Sequence, residues 1–265
     1  MLGIIFTGGE GPAAQIVRRL IDTEAKGALF AAADSGLQAA EVAGFRPDWI
    51  IGDMDSLSCP SRLAEYPQQC VIRHSTAKDY TDTELAFSLV SEKGCDEIWI
   101  IGGGGGRIDH LFGIRSLFER DVFPCRWITD CADIRCLEAG PLGGPLGSTL
   151  SGPLGGPSGG CGCPSSGPLG GPSGSRVGPL DGAKGELSLR LQTGALVSVF
   201  PLGGGPWKAH SRGLKWPLDD LIWNRGFFGL SNLATEQNIS IKAEAGRFMV
   251  ILPFPQEEEK QCLQQ

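Results

Sequence analysis

Trp49-Ile-Ile-Gly-Asp-Met-Asp-Ser56 is a run of three apolar residues that ends on a glycine and then carries two aspartates, two positions apart. A short apolar run bounded by such a break reads as a strand buried on both faces. Four more runs of the same kind lie nearby, at 2–6, 28–33, 70–73 and 97–101. Helical patterns at 13–24, 37–43, 83–92 and 111–120 fall between several of them; in the first, Ile16, Val17, Leu20 and Ile21 share one face. Strand–helix alternation predicts an α/β unit over residues 1–125, with a mostly parallel sheet and helices on both faces.

Sheets of that kind collect ligands at their strand ends, where this chain places its acids. Asp34 stands in Ala-Asp-Ser-Gly, and Asp53 and Asp55 in Ile-Gly-Asp-Met-Asp-Ser. Asp79 and Asp82 stand in Lys-Asp-Tyr-Thr-Asp-Thr-Glu, and Asp109 in Gly-Gly-Arg-Ile-Asp-His. Clustered carboxylates repel unless a cation or a proton sits among them. The expectation is a magnesium-centred site that handles an anionic, phosphorylated substrate. On an extended segment Asp53 and Asp55 would point the same way and reach one ion. The competing account is that they cap turns, as aspartate does beside glycine and serine.

Other residues in these signatures have structural readings too. Thr81-x-x-Glu84 fits a capping box, which accounts for Glu84, while Thr81 can cap and still touch phosphate. Asp79 and Asp82 lie near a positive helix end, where carboxylates are stabilised in any case. Lys78 either neutralises a phosphate or is a solvated lysine. Gly102 to Gly106 permit close backbone approach before a helix start that can bind anions. Arg107 adds a fork suited to phosphate. The loop is neither a Walker A motif nor G-x-G-x-x-G. His110 reads as a polar helix residue, and Thr7-Gly-Gly-Glu-Gly-Pro as a weaker second nucleotide loop.

The 265 residues suffice for a large core and two units, and 41% hydrophobic content suits a globular chain. A net charge of −7, part of it in the flexible acidic tail 257–265, argues against nucleic-acid binding. Nine cysteines without a C-x-x-C pair argue against structural zinc and for reduced thiols. With no signal-like start and no run near the roughly 20 apolar residues of a membrane span, the expected location is cytoplasmic. Gly-Pro-Leu-Gly-Gly-Pro recurs at Gly140, Gly152 and Gly167, so 140–182 reads as a disordered insertion. Leu187, Leu189 and Leu191 then alternate with polar residues, and 126–139 with 183–256 reads as an all-β unit. In it, Trp216 could stack on a flat cationic ring or pack in a small core.

The ordered set resembles the thiamine pyrophosphokinase family: Ala-Asp-Ser-Gly, Pro-Asp-x-x-Ile-Gly-Asp-x-Asp-Ser, Lys-Asp-x-Thr-Asp-x-Glu and Gly-Gly-Arg-x-Asp-His, followed by Gly-Leu-Lys-Trp-Pro-Leu and Ser-Asn. The resemblance implies a catalytic α/β domain, a thiamine-binding β-sandwich, and a homodimer whose active sites lie between subunits. It implies pyrophosphate transfer from ATP to the hydroxyl of thiamine, with magnesium on Asp53, Asp55 and Asp82. Lys78, Thr81 and Arg107 match nucleotide-contacting positions, with Asp34 and Asp79 nearby. Asp109, Trp216, Ser231 and Asn232 match positions around thiamine. Ile114 departs from the asparagine frequent in the family. The alternatives are another magnesium-dependent phosphotransferase or nucleotide hydrolase, and a non-catalytic thiamine or nucleotide sensor.

Overall fold

The opening stretch forms β3 (Trp49–Gly52), inside a parallel array that follows the apolar runs. In chain order come β1 (Leu2–Phe6), α1 (Ala14–Glu24), β2 (Leu29–Ala33), α2 (Gly36–Val42), β3, β4 (Val71–Arg73), α3 (Asp82–Glu92), β5 (Glu97–Ile101) and α4 (Ile108–Leu117). Then follow β6 (Arg126–Ile128), β7 (Ala132–Glu138), β8 (Glu186–Arg190), β9 (Leu196–Leu202), β10 (Lys208–Arg212), β11 (Gly229–Leu233), β12 (Asn238–Ala245) and β13 (Arg247–Pro253). This computed structural model describes residues 1–57, 59–75, 79–140 and 185–254. The expected disorder of 140–182 concerns, beyond Gly140, residues outside those described, as do the acidic tail and Lys78.

Ten strands form one sheet in the order β11-β9-β13-β7-β6-β5-β1-β2-β3-β4. From β6 to β4 every pairing is parallel, and from β6 to β11 every pairing is antiparallel. In the parallel half alternate residues enter opposite cores. Ile5, Ile98 and Ile100 pack with Ala86, Phe87 and Val90 of α3 and Leu117 of α4. Ile4, Phe6, Trp99 and Ile101 pack with Val17 and Ile21 of α1 and Ala40 of α2. Burial on both faces is why these strands read as continuous apolar runs. Each fully buried isoleucine contributes about 1.5–3 kcal/mol.

The second sheet, β10-β12-β8, is antiparallel. It closes over the antiparallel half of the large sheet. Leu187, Ala209, Ile239, Ile241 and Ala243 meet Leu137, Val197, Val199, Phe248 and Val250 in one core. Strand β6 pairs parallel with β5 and antiparallel with β7, so the ladder runs unbroken across residue 125. Arg126, 2% exposed, pins this joint. It donates to Asp133 at 2.9 and 2.6 Å and to Glu24 at 2.9 Å, with its guanidinium 4.5 Å from the centre of the Trp99 ring. Burial pushes the Asp133 carboxyl upward, but Arg126 and Arg135 outweigh it and hold it below its ordinary value.

Candidate active site

In the parallel half, strand order reverses between β5 and β1, which leaves a crevice at the carboxyl ends of the strands. A cavity of about 290 Å³ occupies it. Thr7, Gly8 and Gly9 come from the end of β1, Asp34 and Ser35 from the end of β2, and Ser56 from beyond β3. Thr81, Asp82 and Thr83 open α3, and Gly103 to Arg107 follow β5. The two glycine loops meet in a bridge between Glu10 and Gly104, and Thr7 and Thr83 join hydroxyls at 2.6 Å. Gly103 turns at φ +75°, and a Cβ there would lie 2.3 Å from Ile114 Cδ1, so both the backbone and the packing favour glycine in this loop.

Three carboxylates converge here. Asp34, Asp53 and Asp82 each offer an oxygen within 4.8 Å of the others. Asp34 is 8% exposed, and among the described residues its buried Oδ1 accepts no hydrogen bond. Burial raises its carboxyl above the ordinary range; bonds from Ser56 and Ser35 oppose that, and the charges of Asp82 and Asp53 add to it. A buried, unpaired oxygen beside two more acids is a donor set whose chemistry fits a cation. Hard oxygen ligands around a small gap suit magnesium. Gly52 keeps the gap open: with φ +153°, its absent Cβ would stand 3.1–3.2 Å from Asp34 Cβ and the Asp82 carboxylate.

Spacing paired Asp53 with Asp55 and the resemblance added Asp82; the structure brings Asp34 beside Asp53 and Asp82. Strand β3 ends at Gly52, and Met54 turns left-handed at φ 66°, so Asp53 and Asp55 do not follow strand alternation. Asp55 is exposed and accepts from Ser56 Oγ at 2.9 Å, while Asp34, read from sequence as a nucleotide neighbour, joins the cluster. Thr81 caps α3 in the expected box: Glu84 N donates to Thr81 Oγ1 at 3.2 Å and Thr81 N to Glu84 Oε2 at 2.9 Å. Asp79 is exposed just before that cap. Arg107 reaches the cavity but donates through Nε and Nη2 to Asp109, at 3.1 and 2.5 Å, and this holds the Asp109 carboxyl at about 2. An adjoining space of about 210 Å³ is lined by Arg107, Asp109, His110 and Ile114, among others. Sequence reading missed the Thr7–Thr83 link and Gly52; the glycine before the acids was the available signal.

The β-sandwich residues form a separate group. Asn232, 5% exposed, accepts from Trp216 N at 3.1 Å and donates to Trp216 O at 2.6 Å. Its amide therefore positions the tryptophan backbone. Ser231 is left-handed at φ 55° and donates its N–H to Ser198 Oγ at 3.0 Å. The Trp216 ring is 52% exposed, with Lys215 Nζ 4.7 Å from its centre. None of these residues lines the two spaces described above.

Two sequence families match. The catalytic domain of thiamin pyrophosphokinase matches residues 22–123, and its vitamin B1 binding domain matches residues 186–248. A thiamine pyrophosphokinase of Bacillus subtilis is 34% identical over 95 residues, 36% of this chain and 44% of that protein, so the match spans under half of that relative. Solved thiamin pyrophosphokinases share the fold. That of Geobacillus thermodenitrificans has a TM-score of 0.63 at 20% identity, over 97% of this chain and 99% of that one. That of Bacillus subtilis has 0.64 at 21%, over 96% and 99%. That of Candida albicans has 0.60 at 14%, over 96% and 90%. With both domains of one family matched in order, on the fold those structures share, this chain belongs to the thiamin pyrophosphokinase family.

Proposed function

We propose that this protein transfers the pyrophosphoryl group of ATP to the hydroxyl of thiamine, giving thiamine diphosphate and AMP. The observation that carries the reading is the triad of Asp34, Asp53 and Asp82, one of them with an orphaned buried oxygen, between two glycine loops. Asp53 and Asp82, with Asp34, would hold Mg2+; a part for Asp55 rests on the family resemblance. When bound, Mg2+ would supply positive charge against phosphate oxygens.

The chain's own groups do the positioning. The amides of Gly103 and Gly104 donate to Gly8 O and Glu10 O, so the backbone amides of Gly105, Gly106 and the α4 start receive phosphate oxygens. Arg107, released from Asp109, adds charge where it develops, and Lys78 does the same by resemblance. The thiamine oxygen bonds to the β-phosphorus as the bond from that phosphorus to the oxygen of the departing AMP breaks. The hydroxyl proton passes to a carboxylate at the same mouth, Asp79 or the Asp109 that Arg107 has left.

Thiamine is held by Trp216, with Ser231 nearby. A ring that already accepts the Lys215 ammonium has a face suited to a cationic heterocycle. Because Trp216 lines neither space in its own chain, the acceptor site is completed by a second copy, in a homodimer. Exposed Ile108 and Phe112 on α4, and Phe227, Phe228 and Leu230 in the sandwich, supply apolar surface for that contact. Among the described residues no helix is long and apolar enough to cross a membrane, and six cysteines are free, which fits a cytoplasmic site of action.

Purified protein with thiamine, ATP and Mg2+ should yield thiamine diphosphate and AMP in equal amounts, abolished by chelator. Asp82→Asn should lower turnover by at least about a hundredfold. ATP consumption without thiamine diphosphate would refute the acceptor.

A further inference from the structure

Trp216 sits at the crest of residues 213–219, and this segment is fastened on two sides. Toward β11, Leu214 bridges Ala234, Lys215 N donates to Leu233 O at 2.9 Å, and Asn232 grips the Trp216 backbone. Toward β10 the fastening is ionic. Asp219 Oδ2 accepts from Ser211 N at 3.1 Å, Ser211 Oγ accepts from Leu218 N at 3.0 Å, and Asp219 Oδ1 meets His210 Nδ1 at 2.7 Å. The other ring nitrogen of His210, Nε2, bonds Glu244 Oε2 on β12.

Both ring nitrogens of His210 thus face carboxylates. A neutral imidazole has one N–H and would turn a lone pair toward the other acid; only the imidazolium donates to both. The remaining charges around it are Lys208 on its own strand, whose Nζ reaches Glu244 Oε1 at 2.9 Å, and Lys242, its cross-strand partner on β12. The bonds to Glu244 and Asp219 lift the His210 pKa above its ordinary value, against slight desolvation. A raised histidine is doubly bonded below its folded pKa and loses one bond as pH rises through it.

We propose that His210 and Asp219 are positioning residues that latch the Trp216 segment, so that capture of the flat cationic acceptor tightens when His210 is protonated. The proposal rests on the reading of Trp216 as the ring that stacks on thiamine. Neither residue touches the acceptor; they act through the backbone that carries the indole. Below the His210 pKa the crest is pinned at both ends. Above it the β10 side loosens, the indole samples more orientations, and acceptor binding weakens while ATP binding, which rests on the residues of the glycine loops and the α3 start, does not.

The test is steady-state kinetics of the full chain from about pH 6 to about pH 9, reading KM for thiamine against KM for ATP and kcat. In wild type, KM for thiamine should rise about three- to tenfold across the titration, the weight of one hydrogen bond, without a matching change in KM for ATP. His210→Gln should show the high thiamine KM at every pH with kcat and melting temperature near wild type. Asp219→Asn, which keeps an acceptor for Ser211 but removes the charge facing His210, should flatten the profile too. If Trp216→Ala raises thiamine KM while His210→Gln keeps the wild-type value and slope, the latch is overturned and the stacking role stands. If Trp216→Ala leaves thiamine KM unchanged, the stacking role falls and the latch with it. A His210→Gln protein that loses ATP affinity equally, with a lower melting temperature, would make the contacts merely structural and also overturn the proposal.

Discussion

Asp34→Asn should stabilise this protein in the absence of metal, an unusual outcome for a substitution at an 8% exposed position. The side chain keeps its shape and can still accept from Ser35 and Ser56. What changes is one negative charge whose oxygens lie within 4.8 Å of oxygens on Asp53 and Asp82. At that separation a like-charge pair repels by about 3 kcal/mol at an effective dielectric of about 20, and by about 1 kcal/mol in bulk water. Asp34 can already relieve part of this by binding a proton, because burial and its neighbours raise its carboxyl. A net relief of about 1–2 kcal/mol follows, and the new amide can donate to the remaining acids. For a chain of this size that is a rise of about 2–8 °C in Tm.

The assay is thermal melting with chelator and again with millimolar Mg2+. The sign also sets the pH dependence. A carboxyl with a raised folded pKa favours the fold at low pH and disfavours it as pH climbs through that pKa. The advantage of Asp34→Asn should therefore be largest near neutrality and shrink on acidification. Mg2+ should stabilise wild type by its preferential binding to the folded chain and stabilise the variant less. A variant that melts below wild type in chelator, or gains as much from Mg2+, would refute the carboxylate-triad argument.

Gly52→Ala should lower turnover more than about a hundredfold and cost about 1–3 kcal/mol in melting, since its Cβ enters the triad at a φ that favours glycine; an active, stable variant would sink the packing argument. Arg126→Met should cost about 1.5–3 kcal/mol, read by chemical denaturation, because buried Asp133 keeps Arg135 but loses two of its charged bonds and Glu24 loses one. Because Asp133 is depressed in the fold, wild type gains this stability above the ordinary carboxylate pKa and loses it as pH falls, so the gap between the two proteins should narrow in acid. Ile114→Asn should cost about 1–3 kcal/mol by burying an amide between the glycine loop and the core, and an unchanged melt would contradict the contact with Gly103.

Which features were legible in the chain depends on how local their causes are. Strands β1, β2, β3 and β5 announce themselves because both faces are buried, so apolar runs such as Ile98 to Ile101 carry no polar interruption. The capping box at Thr81 is a contact over three residues and needs nothing else. The start of α4 was read three residues late. Arg107 supplies an extended entry in place of a side-chain cap, and Ile108 and Asp109 look like loop when read beside five glycines. The sheet's passage through β6 was hidden for another reason: three residues pair with a parallel neighbour on one side and an antiparallel one on the other, and no period encodes that.

The acid triad marks the boundary most sharply. Sequence distance grouped Asp53 with Asp55, because on a strand they would share a face. One left-handed residue, Met54, ends that inheritance, and the acid that stands beside Asp53 lies 19 positions upstream of it at the end of the next strand. Asp34 is itself left-handed at φ 46°, and its N–H donates to Ile51 O at 2.8 Å, which fixes its carboxyl over Gly52. Parallel pairing of β2 with β3, and the side chain that Gly52 lacks, bring the acids together. The chemistry was written in the residue types, but which acids come together was decided by sheet register and two backbone angles.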